Sequence, residues 1–495
     1  MFTENLSQDR NPTSWTNFSQ VSQRWRSSAL NAPQLWTLIP LNYPRWAQEM
    51  LIRSKMAKLT IRGHCLDDSN DSNLRIIETI RSCIDEMSRV EEINLTGFSQ
   101  STMQKIFRDL PKSAPQLHTL CIDWFFSPHE DFLHDTERLQ HVELSFCTIS
   151  WDSQLLTGLT RLTVKKSLNA NSSIIQVLHA LKRMPALTEL RLIDSIPAES
   201  GGASIYPVVD LPCLQILHIV SSIGPLTTFL RHITFPHSAI LNLTCTVLGY
   251  TLESFTQINF SNFLFPLTTN FLSSLVIRSL QVSLRSATGY TGLEFYLWTT
   301  ADCFPYPSSL FSQSQLQLFL MWPSSQRHNH GKVLTSAFDA MNLSFLTQLQ
   351  LSSLNCIDSK TWVKTFGKLP LLERVYVKSS ATHFLEALIY KTKEDEKSNA
   401  AYRNISFPKP RYIHLEFTNF FGTGPGYISV EKLLDYLMER CERKAEVRVL
   451  RLDNCYCISS HDVKRLKEIV VDVIWDGVEW LNVEPYEVSE DGMIH

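Results

Sequence analysis

One phrase of apolar positions recurs along the chain: an apolar residue, another three residues later, and a third two after that. It stands at Leu117-Leu120-Ile122, Leu139-Val142-Leu144, Leu187-Leu190-Leu192 and Leu214-Leu217-Ile219. It returns at Leu346-Leu349-Leu351, Leu372-Val375-Val377 and Val447-Leu450-Leu452. Shorter copies sit at Leu59-Ile61, Ile93-Leu95, Leu162-Val164 and Ile413-Leu415. Within each copy the last two apolar residues flank a single other residue, the period-two pattern of a strand with one buried face. Other stretches keep helical spacing. Ile174, Ile175, Leu178, Leu181 and Met184 share one face of a predicted helix over 173–184. Ile76, Ile77, Ile80, Cys83, Ile84 and Met87 do the same over 73–88, and Val430, Leu433, Leu434 and Leu437 mark a third helix.

Two regularities join these elements into a unit. The central strand residues 93, 120, 142, 162, 190 and 217 fall 20 to 28 residues apart, the spacing of leucine-rich repeats. Proline stands five residues before the central residue at Pro115, Pro185, Pro212, Pro370 and Pro408. There it ends a preceding helix and forces extended backbone. The copy at Leu139 continues to Cys147 and Ile149, and Cys455 has the same offset from Val447. A small thiol at that offset can bond backbone groups between neighbouring units. The expected fold is therefore α/β, a leucine-rich-repeat solenoid or horseshoe of strand, turn, helix and proline, closed by stacking. After about residue 220 the gaps to Leu280, Leu318 and Leu349 exceed 30 residues, which predicts insertions there. Residues 391–401, KTKEDEKSNAA, read as an exposed loop, and the acidic 484–495 as a C-terminal tail.

Composition narrows the function. The 495 residues carry 46 Lys+Arg against 49 Asp+Glu, a net charge of −3, which does not support a cationic nucleic-acid binder. Hydrophobic residues at 44% supply an ample core. Glycine is scarce: 16 residues, about 3% where about 7% is usual, and phosphate-cradling loops spend it freely. The first residues, MFTENLSQDRNPTSW, lack the apolar core of a secretory signal. The 11 cysteines read as buried thiols of a reducing compartment. The uncharged stretch Leu211 to Leu230 is broken by Pro212, Gly224 and Pro225, so no membrane span is expected.

Residues 14–41 do not fit the recurring phrase. Phe18, Val21, Trp25 and Ala29 keep helical spacing, Asn31-Ala32-Pro33 breaks the helix, and Gln34-Leu35-Trp36 starts another apolar turn. The run VSQRWRSSALNAPQLW, Val21 to Trp36, resembles the second half of an F-box, in the form found in fungal F-box proteins with leucine-rich repeats. PRWAQEMLIRSKMAKLTIRG (44–63) resembles the segment that follows that box. The tail VRVLRLDNCYCIS…VVDVIWDGVEW resembles the closing repeat of the same group. The family's box opens on a Leu-Pro-x-Glu helix, and the residues before Val21 hold no such motif.

The resemblance implies a partial F-box-like helical segment at 1–41, a repeat array with insertions at 42–483, and the tail at 484–495. It implies docking on the Skp-type adaptor of a cullin ubiquitin ligase through Val21, Trp25, Pro33, Leu35 and Trp36. The alternative is a protein-binding scaffold without a ligase role, its N-terminal helices serving as a cap.

Signatures of catalysis are thin. GTGPG (422–426) fails the dinucleotide-loop spacing, and Pro425 removes a donor that a phosphate needs. His328-Asn329-His330 offers two imidazoles where zinc takes three or four ligands. Cys455-x-Cys457 lacks the two-residue gap of redox or zinc pairs. No enzyme, metal or cofactor is expected. The residues between apolar strand positions point to the concave face, among them Cys121, His141 and Glu143. The expected protein-substrate contacts on that face are Arg161, Lys165, Arg191, Arg374, Tyr376, Lys378, Tyr412, His414 and Arg451. The expected function is substrate recognition in the cytoplasm or nucleus, with ubiquitin transferred by other subunits through proximity.

Overall fold

The computed structural model describes residues 22–64, 70–108, 113–126, 135–148, 150–167, 172–198, 206–246, 267, 271, 275–287, 289–301, 314–324, 330–339, 341–354, 357–379, 381–389, 406–421 and 428–479. The chain divides into two compact units, Met1–Pro236 and His237–His495.

In the first unit, eight strands run parallel in chain order. They are β1 (Leu38–Pro40), β2 (Leu59–His64), β3 (Val90–Thr96), β4 (Thr119–Phe126), β5 (His141–Cys147), β6 (Arg161–Lys165), β7 (Glu189–Ile193) and β9 (Ile216–Ser222). Strands β8 (Val209–Asp210) and β10 (Ile233–Thr234) form a separate parallel pair. Helices α1 (Gln23–Leu30), α2 (Pro44–Arg53), α3 (Asn70–Ile84), α4 (Gln100–Arg108), α5 (Ile174–Lys182) and α6 (Ile223–Arg231) complete the unit. Register turns the apolar phrase into rows. Ile61, Ile93, Leu120, Val142, Leu162, Leu190 and Leu217 stand side by side and are all buried. The intervening residues line the opposite face and are mostly part-exposed.

The local chemistry at both strand ends explains the repetition. Before β4, β7 and β9, Pro115, Pro185 and Pro212 each sit second in a turn, the position proline's fixed φ suits. The turns close through the N–H of Leu117, Leu187 and Leu214, bonded to Ala114, Met184 and Leu211, and the three leucines enter the core. After the strands the chain turns through one left-handed residue that is not glycine: Lys166, Asp194, Ser353, Ser379, Phe417 or Asn454. In the first five, its N–H donates to a carbonyl at or near the end of the next strand, as Lys166 does to Ile193, Asp194 to Val220 and Ser379 to Glu416. The ladder bond offsets the cost of left-handed backbone, about 1 kcal/mol for a residue with a Cβ. Ser379 is exposed, with φ of 57°. Ser379→Gly should therefore raise stability by about 0.5–1 kcal/mol, seen as a higher denaturation midpoint.

The second unit contributes nine strands: β11 (Ile240–Thr246), β12 (Ser279–Ala287), β13 (Tyr290–Trp298), β14 (Leu316–Pro323), β15 (Gln348–Ser352), β16 (Arg374–Lys378), β17 (Tyr412–Glu416), β18 (Val449–Asp453) and β19 (Asp472–Trp475). Their spatial order is β11-β14-β13-β12-β15-β16-β17-β18-β19. Strand β13 is antiparallel to both β12 and β14, and every other neighbouring pair is parallel. Helices α7 (His330–Asp339), α8 (Ser359–Phe366), α9 (Ala381–Ala387), α10 (Val430–Glu442) and α11 (Ser460–Ile469) each touch the next in order. Their inner core is aromatic: Trp362 and Phe366 of α8 meet Phe338 of α7 and Phe384 of α9, with Phe407 beside them.

These findings correct the leucine-rich-repeat horseshoe read from the spacing. The described strands make mostly parallel sheet in both units, eight strands in the first and nine, with a mixed portion, in the second, and with 11 described α-helices this is an α/β fold. The antiparallel meander β12–β13–β14 breaks the succession of strand, turn and helix that a repeat array requires. Strand direction is set by the connections, which alternation of apolar residues does not encode. A separate N-terminal helical segment is not seen among the described residues either. Helix α1 has 8 residues, and by Leu38 the chain is already strand β1, paired with β2. The loop 391–401, GTGPG at 422–426 and the tail 484–495 lie outside the described residues. No described helix is long and apolar enough to cross a membrane.

Candidate functional site

The face of the second unit's sheet opposite its leucine rows carries aromatic and polar side chains in register. Gln317, Tyr296, Gln281, Gln350, Tyr376, His414 and Arg451 stand in one row across β14, β13, β12, β15, β16, β17 and β18. Arg374 and Tyr412 pair in a flanking row, and Lys378, Glu416 and Asp453 make the other. Two aromatics on β13 complete a cluster: Trp298 and Tyr376 are buried on this face, with Tyr296 and Tyr412 packed against them. The Tyr296 and Trp298 rings are 6.0 Å apart and nearly parallel, and Tyr376 lies 5.4 Å from Tyr412 and 5.7 Å from His414. Four rings on the non-core side of a sheet are unusual, because that side is normally polar.

Charges of both signs rim the cluster. Lys378 Nζ is 3.0 Å from Glu416, and it stands over the Phe417 ring at 4.8 Å. Arg451 Nε donates to Asp453 Oδ2 at 2.7 Å. On the β13 side Glu294, 4% exposed, is held by Arg285 at 2.8 Å, by the Ser283 hydroxyl and by the Tyr296 hydroxyl. Burial pushes the phenols of Tyr296, Tyr376 and Tyr412 up, so they stay protonated; Tyr296 donates to Glu294, while Tyr376 and Tyr412 accept from Arg374 and Arg451. Gln350, Tyr376, Val377, Lys378, His414 and Glu416 line a small depression within the patch.

His414 is the titrating member. Its Nε2 lies 2.9 Å from Asp453 Oδ2 but off the direction of a good hydrogen bond. Burial pushes its pKa below the ordinary 6.5 and outweighs the pull of Asp453. The unfolded chain then binds the extra proton first as pH falls through 6.5. The stability that neutral His414 supports is complete above that value and is lost on acidification toward the folded-state pKa. Between about pH 7.5 and about pH 5.5, stability should fall more steeply in the parent than in His414→Asn, measured by urea unfolding at each pH.

The structure thus brings Arg374, Tyr376, Lys378, Tyr412, His414 and Arg451 into one patch. Arg161, Lys165 and Arg191 belong to the first unit, where they share the equivalent face of β6 and β7. There the charges are neutralised between neighbours: Lys165 with Glu143 at 2.5 Å, Arg191 with Glu189, and Arg62 with Glu92 at 3.1 Å. This face has paired charges and no aromatic cluster comparable to that of the second unit among its described residues.

The N-terminal candidates separate by burial. Ser22 caps α1 by accepting the Trp25 N–H at 3.2 Å, and Trp25 is 56% exposed. Pro33 opens the 3-10 turn Pro33–Trp36, in which Leu35 is 49% exposed. Trp36 is 1% exposed; its indole donates to the Ala29 carbonyl at 2.8 Å and lies under the Arg53 guanidinium at 4.4 Å. Trp36 is therefore a packing residue that ties the turn to α1 and α2. Val21 lies outside the described residues.

The sequence reading missed Tyr296, Trp298, Glu294, Gln281 and Gln317, all on the meander. For Glu294, Tyr296 and Trp298 the signal was present in the alternation of G-L-E-F-Y-L-W, residues 292–298. Side-chain rotamer cost is low for such rings, and they favour recognition surfaces. Compared with protein families and with curated proteins, the chain matches none.

Proposed function

We propose that this chain is a non-catalytic recognition subunit that holds a protein partner on the sheet face of its second unit. The aromatic cluster Tyr296, Trp298, Tyr376 and Tyr412, rimmed by Lys378, Arg451 and their acidic partners, carries this reading. Aromatic anchors within a polar rim are the arrangement of a binding hot spot. The one histidine in the patch is mostly buried and faces Asp453, so it favours positioning over proton transfer to a ligand. In this reading Trp25 and Leu35, both exposed near the N-terminus, dock on the Skp-type adaptor of a cullin ubiquitin ligase. The subunit then presents its target to the transferring enzyme in the cytoplasm or nucleus. The partners are that adaptor and a protein target, with no nucleic acid, membrane or cofactor involved.

Two arms test it. The full chain should co-purify with the Skp-type adaptor of its own organism. Trp25→Ala/Leu35→Ala should weaken that by at least about 2 kcal/mol, more than tenfold in affinity, with unchanged circular dichroism. No adaptor binding by the folded parent rejects the ligase role, and equal binding by parent and variant rejects Trp25 and Leu35 as the docking residues. For the face, proteins cross-linked to the parent should be lost from Tyr412→Ser/Arg451→Glu, and retention of the same set rejects the patch as the binding site. The burial of Trp36 favours one second reading: residues 22–36 cap the first unit without docking on anything, and the adaptor arm separates the two.

A further inference from the structure

We propose that the first unit binds one zinc ion on the exposed-side face of strands β4 and β5, through Cys121, His141 and Glu143. The topology places the three ligands. His141 and Glu143 are two apart on β5 and so point to the same face. Cys121 is the direct cross-strand neighbour of Glu143 in the parallel register. A ring nitrogen, the thiol sulfur and a carboxylate oxygen already lie within 4.8 Å of one another. Ligand atoms around tetrahedral zinc stand about 3.5 Å apart, so side-chain rotations alone can close the site.

The position of Cys121 supports this. Cys147 and Cys455 each hydrogen-bond a strand carbonyl near their own backbone, and Cys83 and Cys245 sit in the core. Cys121 instead stands in the polar row, with Asn94 on one side and Glu143, Thr163 and Arg191 on the other. A thiol, an imidazole and a carboxylate are the donors zinc prefers, and three protein ligands leave one position for water.

The charge balance is explicit. Burial pushes the Cys121 thiol up to about 12, so the metal-free site holds a neutral SH, and the Glu143 carboxylate is matched by Lys165 at 2.5 Å. Zinc forms a Zn–S bond as the S–H bond breaks, and the proton leaves to solvent. The second Glu143 oxygen can stay with Lys165. The bound ion then makes the site one charge more positive than the ligands alone can neutralise, and that charge is Lys165. Removing it should tighten binding.

The test uses the full, reduced, metal-stripped chain, with Co2+ as the spectroscopic probe and Zn2+ as competitor. The expected result is one equivalent of Co2+ with a thiolate-to-cobalt charge-transfer band that Zn2+ abolishes. Cys121→Ser should remove the band. His141→Gln and Glu143→Gln should each weaken binding by at least about tenfold, and Lys165→Met should strengthen it. His141, Glu143 and Lys165 are part-exposed, and Cys121, though buried, is replaced by the near-isosteric serine, so circular dichroism should show the variants folded. Absence of the band in the parent overturns the proposal. So does a band that persists in Cys121→Ser, or affinity unchanged in both His141→Gln and Glu143→Gln.

Discussion

Arg440→Met is expected to cost the second unit about 3–5 kcal/mol of stability. Arg440 belongs to α10 and is 1% exposed. Its guanidinium donates to the carbonyls of Leu388 at 3.2 Å, Ser406 at 3.2 Å and Phe407 at 2.8 Å. Leu388 follows the last turn of α9, where helix carbonyls lack intrahelical partners. Ser406 and Phe407 precede β17. One side chain therefore fastens α10 to both the end of α9 and the approach to β17.

Burial pushes the Arg440 pKa down to about 10, with Arg443 adding to the fall, and the group remains charged at neutral pH. Its charge is compensated by carbonyl dipoles. Methionine can fill the volume of the stem but leaves three carbonyls without donors, and bonds to a charged group contribute about 1.5–3 kcal/mol each, less than additively. Arg440→Lys keeps the charge on a single point and should recover only part of the loss. Urea unfolding followed by tryptophan fluorescence measures both; a Met variant within about 1 kcal/mol of the parent would refute this account.

The apolar phrase in the sequence located most strands because burial on one face demands alternation, and the triplets coincide with the buried rows on β4, β5, β7, β9, β15, β16 and β18. The prolines located the turns because their φ suits the second turn position. What failed was direction. Ser279–Ala287 and Tyr290–Trp298 are two nine-residue runs separated by two positions, the second of which is Gly289 with φ of +85°. That is a hairpin signal. The apolar spacing of Ile277, Leu280 and Val282 satisfies a parallel and an antiparallel neighbour equally well, so it carries no information on direction.

The patch was half legible for the same reason. Arg374, Tyr376, Lys378, Tyr412, His414 and Arg451 lie on consecutive parallel strands. Trp298 and Tyr296 reach them only through the meander. At the N-terminus, Trp25 and Trp36 look alike in sequence. Only the 3-10 turn, which brings the Trp36 indole to the Ala29 carbonyl, makes one internal and leaves the other exposed.

Trp362→Ala is expected to cost about 3–5 kcal/mol, the usual range for emptying a buried tryptophan site. Trp362 is fully buried, and its ring lies 5.6 Å from Phe366, 5.0 Å from Phe384 and 6.5 Å from Phe407. Its indole N–H finds no acceptor among the described residues. The contribution is therefore apolar contact, reduced by the cost of one unsatisfied donor. Trp362→Phe removes that donor and a modest volume together, so its loss should stay within about 1.5 kcal/mol.

Phe407 touches Trp362 by its ring and Arg440 by its carbonyl. The double variant Trp362→Ala/Arg440→Met should therefore lose less than the sum of the single changes, because either one alone loosens the same segment. Tyr412→Ser supplies the contrast. It removes a half-buried ring from the opposite side of the sheet and should shift stability by no more than about 1.5 kcal/mol while abolishing partner binding. If Tyr412→Ser instead destabilises as much as Trp362→Ala, the open-face rings are part of the folding core and the recognition reading loses its main support.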